Sequence, residues 1–136
     1  MFHLFVNFYG AIFADEGCVG LGIVIRNEEG LVMASLSQLI PIPLIVFDVE
    51  ALAARRGVEL ALELGFNSVE LEGDSAVLIS ALKVGQGPLA QYGHIVADIQ
   101  YLASYFSFFN LSDVRRHCNK VAHSLVRKAI ISPLDK

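Results

Sequence analysis

The chain has no tryptophan, only two cysteines and four prolines, and no apolar run long enough to cross a bilayer. Cys18 and Cys118 lie far apart, in neither a CxxC pair nor a disulfide framework, which points to a reducing intracellular compartment, nuclear or cytoplasmic. His117 beside Cys118, with His123 further on, does not give the ligand spacing of a zinc site. The most apolar stretch, 39–47, is broken by Pro41 and Pro43, whereas a spanning helix needs roughly 20 apolar residues. The apolar start, 1–14, has no Lys or Arg before it and holds Asn7 in its middle, unlike a secretory leader. No membrane partner is expected.

Basic side chains are also scarce: ten Lys and Arg face fourteen Asp and Glu, a net charge of −4. They are unevenly placed. Residues 1–110 carry four basic and twelve acidic side chains, a net of −8, and residues 111–136 carry six basic and two acidic, a net of +4. A basic end on an acidic body reads either as a solvated final helix or as a patch facing phosphates.

What is abundant is apolar surface. At 136 residues and 54% apolar, the chain suits one monomeric domain over 1–136, since a chain of this size buries about two thirds of its unfolded surface without a staple. Strands are expected over 4–13, 20–26 and 31–39, with turns at 14–17 and 27–30; connections that short join antiparallel neighbours only. Gly17, Gly20 and Gly22 do not spell GxGxxG and open a strand, so they are no phosphate cradle. A helix follows over 48–64, with Arg55 and Glu59 spaced as an i,i+4 pair and Gly65 as its stop. Next come a strand over 69–72, a helix begun by Asp74 and Ser75, a break at 85–88, a helix over 90–104, a strand over 108–115 and a final helix capped by Asn119. The aromatics Tyr101, Tyr105, Phe106, Phe108 and Phe109 are expected in the core.

This order predicts an α/β fold: an antiparallel three-strand meander extended by parallel strands into a mixed sheet flanked by helices. Ligands in such sheets collect beyond the carboxyl ends of parallel strands. Tyr9 and Asp74 are expected there, with Glu50 in reach from the first turn of its helix.

Five blocks in order then resemble one family. They are 6–11 (VNFYGA), 20–26 (GLGIVIR), 50–54 (EALAA), 71–75 (LEGDS), and 114–116 (VRR) followed by 119–123 (NKVAH). The chain resembles the plant-type ribonuclease H-like domain, related to the modules attached to reverse transcriptases. The resemblance implies a five-stranded ribonuclease H-like fold. It also implies endonucleolytic cleavage of the RNA strand of an RNA–DNA hybrid by Mg2+, with four carboxylates at one sheet edge. Two metal ions about 3.5–4 Å apart concentrate four positive charges, which explains that demand.

Carried over, the second and third family carboxylates fall on Glu50 and Asp74, the implied metal ligands. The fourth falls on His123, a common plant-type variant. The first, expected to bridge both metals, falls on Tyr9. A phenol with pKa of about 10 is neutral at pH 7 and a poor magnesium ligand, so impaired cleavage is expected. Asn119, Arg115, Arg116, Lys120 and Ser75 are the residues expected to meet nucleic acid. Alternatives are a catalytically dead binding module or a protein-interaction domain, derived from a mobile element. Individually, Asp74 also reads as a helix cap, Glu50 as a complement to the helix dipole and His123 as a half-buried imidazole.

Overall fold

The computed structural model describes residues 3–42, 48–85, 94–114, 120, 121 and 124. Period-two alternation sorts β1 (Leu4–Phe13) into two faces: Leu4, Val6 and Phe8 are buried apolar positions, and Phe5, Asn7 and Tyr9 point to the other side. A 3-10 turn, Ala14–Glu16, closed by Gly17 at φ 66°, leads into β2 (Cys18–Arg26). The next turn is organised by Asn27, whose Oδ1 accepts from the N–H groups of Glu29 and Leu31, and it delivers β3 (Val32–Pro41).

Short turns make β1–β2 and β2–β3 antiparallel, as expected. From edge strand β3 the chain crosses through α1 (Val49–Glu63) to β4 (Ser68–Gly73), which pairs with β1 in parallel. Then come α2 (Ala76–Val84), α3 (Ile95–Ala103) and β5 (Phe108–Asp113), parallel to β4. The sheet order is β3-β2-β1-β4-β5. The expected five-stranded mixed sheet is thus the observed one.

The core lies between one face of this sheet and the helices. Val6, Phe8, Ile23, Ile25 and Leu71 meet Ala51, Ala54, Val58 and Ala61 of α1, with Leu78, Ile79 and Ile99 from α2 and α3. Small residues on α1 allow close approach. A Cβ on Gly57 would sit 2.9 Å from Val6 Cγ1. The stop at Gly65 is as expected: its φ is 80°, it donates to the Leu62 carbonyl, and Phe66 donates to Ala61.

Several local expectations are corrected. Ser75 caps α2, its hydroxyl accepting from the Leu78 N–H, which leaves the Asp74 side chain outside the cap. Arg55 pairs with Asp98 of α3 at 2.8 Å instead of Glu59, because its side of α1 faces α3; Arg56 takes Glu59 and Glu63. Tyr101, Tyr105 and Phe108 are exposed, whereas Phe106 is buried in the core and Phe109 packs against it half-buried, as expected. The buried stripe of α3 runs through Ile95, Val96 and Ile99, so Tyr101 falls off it, and hydroxyl-bearing rings lose least by facing water. The start of the helix expected over 90–104, the end of the strand expected over 108–115 and the Asn119 cap lie outside the described residues.

Candidate nucleic-acid interface

The candidate site is set by where the parallel pairing stops. β1 and β4 are paired from Leu4 with Val69 to Asn7 with Glu72. One step on, Phe8 packs its ring against Gly73, where a Cβ would collide with it. Asp74 follows directly, at the carboxyl end of β4, and Tyr9 stands at the same end of the parallel pair. Tyr9 is not the end of β1, however. The hairpin with β2 carries β1 on to Phe13, because antiparallel bonding continues after β4 has turned away.

α1 brings Glu50 to the same place. Asp48 caps the helix, accepting from the Glu50 N–H at 2.8 Å, and this fixes the first turn. That turn rests on Gly10, where a Cβ would overlap the Val49 carbonyl. The Gly10 N–H then donates to Glu50 Oε1 at 3.1 Å. Glu50 is therefore anchored to the peptide that follows Tyr9. The other oxygen, Oε2, is shielded from solvent, as is Oδ2 of Asp74. This backbone anchor is absent from the sequence reading; its trace is the Tyr9-Gly10 pair, where glycine admits the helix.

A second group beside the site also escaped the sequence reading. Asn7, 3% exposed, and Glu72, 7% exposed, face each other across β1 and β4, the Asn7 Nδ2 donating to Glu72 Oε1 at 3.1 Å. Arg26 reaches over from β2, its Nη2 2.6 Å from Glu72 Oε1 and its Nε donating to Asn7 Oδ1 at 3.0 Å. Its guanidinium also lies 4.9 Å from the centre of the Phe5 ring. Asn7 and Glu72 stand two residues before Tyr9 and Asp74, on the strand face that Tyr9 shares. The trace in the sequence is a polar Asn7 and Glu72 inside apolar strands.

Described residues at this end do not fit a two-magnesium centre. Two carboxylates, Glu50 and Asp74, are available to hold four positive charges, and one oxygen of Glu50 already accepts from Gly10. The next carboxylate along the strands, Glu72, has its charge neutralised by Arg26 at 2.6 Å. Tyr9 supplies a phenol. Among the described residues, no three Asp, Glu, His or Cys side chains form a group able to hold a metal ion.

Of the remaining expected site residues, Ser75 stands next to Asp74 and is committed to its capping bond. Lys120 is exposed. His123, Arg115, Arg116 and Asn119 lie outside the described residues.

The family model described as reverse transcriptase-like matches residues 7–129 of the chain. A comparison with curated proteins returns no match. The structure is similar to RNase H1 from the halophilic archaeon Halobacterium salinarum, with a TM-score of 0.81 and 22% identity over 96% of this chain and 98% of that one. It is similar to the N-terminal RNase H domain of a Mycobacterium tuberculosis protein, with a TM-score of 0.79 and 20% identity, covering 99% and 98%. It also matches LC11-RNase H1, isolated from compost, in complex with an RNA/DNA hybrid, with a TM-score of 0.76 and 21% identity over 98% and 99%. The fold is that of ribonuclease H. No helix among the described residues is long and apolar enough to cross a membrane.

Proposed function

The chain belongs to the reverse transcriptase-like family, and from that premise we propose that it is a nucleic-acid-binding ribonuclease H-like domain that recognises RNA–DNA hybrids and cleaves them poorly. The observation that carries this reading is the make-up of the site. Glu50 and Asp74, which this reading takes as the two remaining family carboxylates, stand at one end of the parallel pair, Glu50 held by the Gly10 N–H. Tyr9 stands where in-line hydrolysis needs the bridging charge. Loss of that one charge impairs metal-dependent turnover without removing the surface that meets a duplex, because phosphate contacts are electrostatic and separate from the cleavage step.

Phosphate affinity on this reading comes from the basic segment 111–136, with Arg115, Arg116, Lys120, Asn119 and Ser75 as the residues that meet nucleic acid. His123, in the same segment of the sequence, takes the fourth family position on this reading. The domain acts as a monomer over 1–136, in the nucleus or cytoplasm, where Cys18 and Cys118 stay reduced.

The test is hybrid binding by fluorescence anisotropy across a salt series. Affinity should fall steeply, with a log–log slope of about −0.9 for each phosphate contacted in a duplex. Arg116→Glu with Lys120→Glu should weaken binding more than Arg127→Glu with Lys128→Glu, at unchanged melting temperature. Undetectable binding of wild type at low salt would remove any nucleic-acid role and favour a protein-interaction domain.

A further inference from the structure

The end of α3 brings two phenols into contact. Tyr101 and Tyr105 are four positions apart, and residues so spaced are neighbours on a helix surface. Helical winding continues past Ala103 to keep them so: the Ser104 N–H donates to the Gln100 carbonyl, that of Tyr105 to Leu102 and that of Phe106 to Ala103. The Ser104 hydroxyl also donates to the Tyr101 carbonyl at 2.6 Å. Phe106, 8% exposed, then pins the turn to the core. The two rings meet edge to face, with centres 5.3 Å apart and planes at 82°, and their hydroxyl oxygens are 2.6 Å apart. Both rings stay open to solvent, Tyr101 at 63% and Tyr105 at 61%.

This arrangement suits one-electron oxidation. A phenol is neutral at pH 7, its pKa being about 10, and once an electron leaves it the ring is strongly acidic, so the proton has to be accepted elsewhere. The hydrogen bond between Tyr101 and Tyr105 supplies an acceptor in advance, and the exposed face of each ring admits an oxidant. Tyr9, by contrast, is half-buried at the candidate site. A radical on a solitary surface tyrosine has to meet another molecule before it can couple. Here the second phenol is already in contact, which makes the encounter intramolecular. Rotation of exposed side chains takes picoseconds to nanoseconds, so the carbons ortho to the two hydroxyls are brought together readily.

We propose that Tyr101 and Tyr105 form an oxidative modification site, where a peroxidase-type one-electron oxidant, with hydrogen peroxide as terminal acceptor, joins the two rings as a dityrosine within one chain. Each phenol loses one electron and one proton and becomes a phenoxyl radical. The two radicals form a carbon–carbon bond between their ortho carbons; each of those carbons then gives up its hydrogen as a proton, and each ring oxygen takes one back, which restores both aromatic rings. Two electrons and two protons leave in total, and they reduce one hydrogen peroxide to two waters. The bond staples the last turn of α3 to the turn that leads into β5. Thiols do not reverse it, which distinguishes it from oxidation of Cys18, a free thiol. The inference goes beyond the reading as a hybrid-binding domain and needs no nucleic acid.

The test treats the dilute full chain with a peroxidase and limiting hydrogen peroxide, followed by a thiol reductant. The monomer should acquire the blue emission of dityrosine and an intact mass lower by two hydrogens. In the tryptic peptide 84–115, which also contains Tyr92, backbone fragments should be missing between 101 and 105 and present between 92 and 101. Tyr101→Phe and Tyr105→Phe, both at exposed positions, should each lower the emission of the monomer by about tenfold or more, because coupling then has to be intermolecular. Tyr92→Phe should leave it unchanged. Three results would each overturn the proposal: dityrosine confined to covalent dimers, a monomer emission that survives Tyr101→Phe, or oxidised monomer without any dityrosine.

Discussion

Replacing Tyr9 with aspartate puts a third carboxylate where Glu50 and Asp74 already stand. Two like charges at a separation of about 5 Å in an effective dielectric constant of about 20 repel by about 3 kcal/mol before screening. Tyr9 is half-buried, so solvent relieves part of this, and a net loss of about 2–4 kcal/mol is the working figure. For a domain of this size that is a fall of roughly 6–15 °C in melting temperature in EDTA. Magnesium then becomes a stabiliser of the variant: at 10-fold over its dissociation constant it returns about 1.4 kcal/mol. The wild type, whose charge at this end is insufficient for two divalent ions, should melt at the same temperature with and without magnesium. Tyr9→Phe separates loss of the hydroxyl from gain of charge and should stay insensitive to the metal. Thermal melts and cleavage of a labelled RNA–DNA hybrid, run with magnesium and with EDTA, make the comparison. A magnesium-induced rise in the wild-type melting temperature equal to that of Tyr9→Asp would show that the site holds the metal without the third carboxylate. Wild-type cleavage as fast as that of Tyr9→Asp, abolished by Asp74→Asn, would likewise show that Tyr9 does not impair the site.

Two further outcomes follow from groups outside the carboxylate pair. Arg26→Ala leaves the charge of Glu72 buried without its cation; removing one partner of a buried pair costs about 3–5 kcal/mol, which the partial exposure of Arg26 reduces to about 2–3 kcal/mol. Urea denaturation reads that loss, and a change below about 0.5 kcal/mol would mean the Asn7–Arg26–Glu72 contacts contribute nothing in solution. On α3, the Tyr101 hydroxyl, 2.6 Å from that of Tyr105, holds the Tyr105 phenol above its ordinary pKa, first by their hydrogen bond and then by the charge Tyr101 acquires on ionising. A raised folded-state pKa favours the neutral ring, so this contribution to stability is present below the unfolded value and is lost as pH rises through the folded one. Tyr101→Phe should bring Tyr105 back toward the ordinary value in an ultraviolet titration, and an unchanged titration would show that the two hydroxyls do not pair.

Local chemistry wrote much of this protein into its sequence. The turns at 14–17 and 27–30 are too short for anything but antiparallel neighbours, the Gly65 stop and the Asp48 start bound α1, and the crossover from β3 requires β4 to run parallel to its neighbour. That neighbour being β1, Tyr9 and Asp74 come to one end of the sheet, with Glu50 beside them. The turns, the helix bounds and the strand directions follow from chain connectivity and residue-by-residue preference, which act over a few positions. The choice of partner among distant residues does not. Arg55 turns to Asp98 instead of Glu59, and Tyr101, Tyr105 and Phe108 face water, because packing of α3 on α1 decides which side of each element is inside. The Gly10 N–H that holds Glu50 acts across 40 residues, and Arg26 joins Asn7 and Glu72 across 19 and 46. Such contacts depend on strand register and on how closely a helix settles against a glycine, and those are set only when the sheet and its helices close around a shared core.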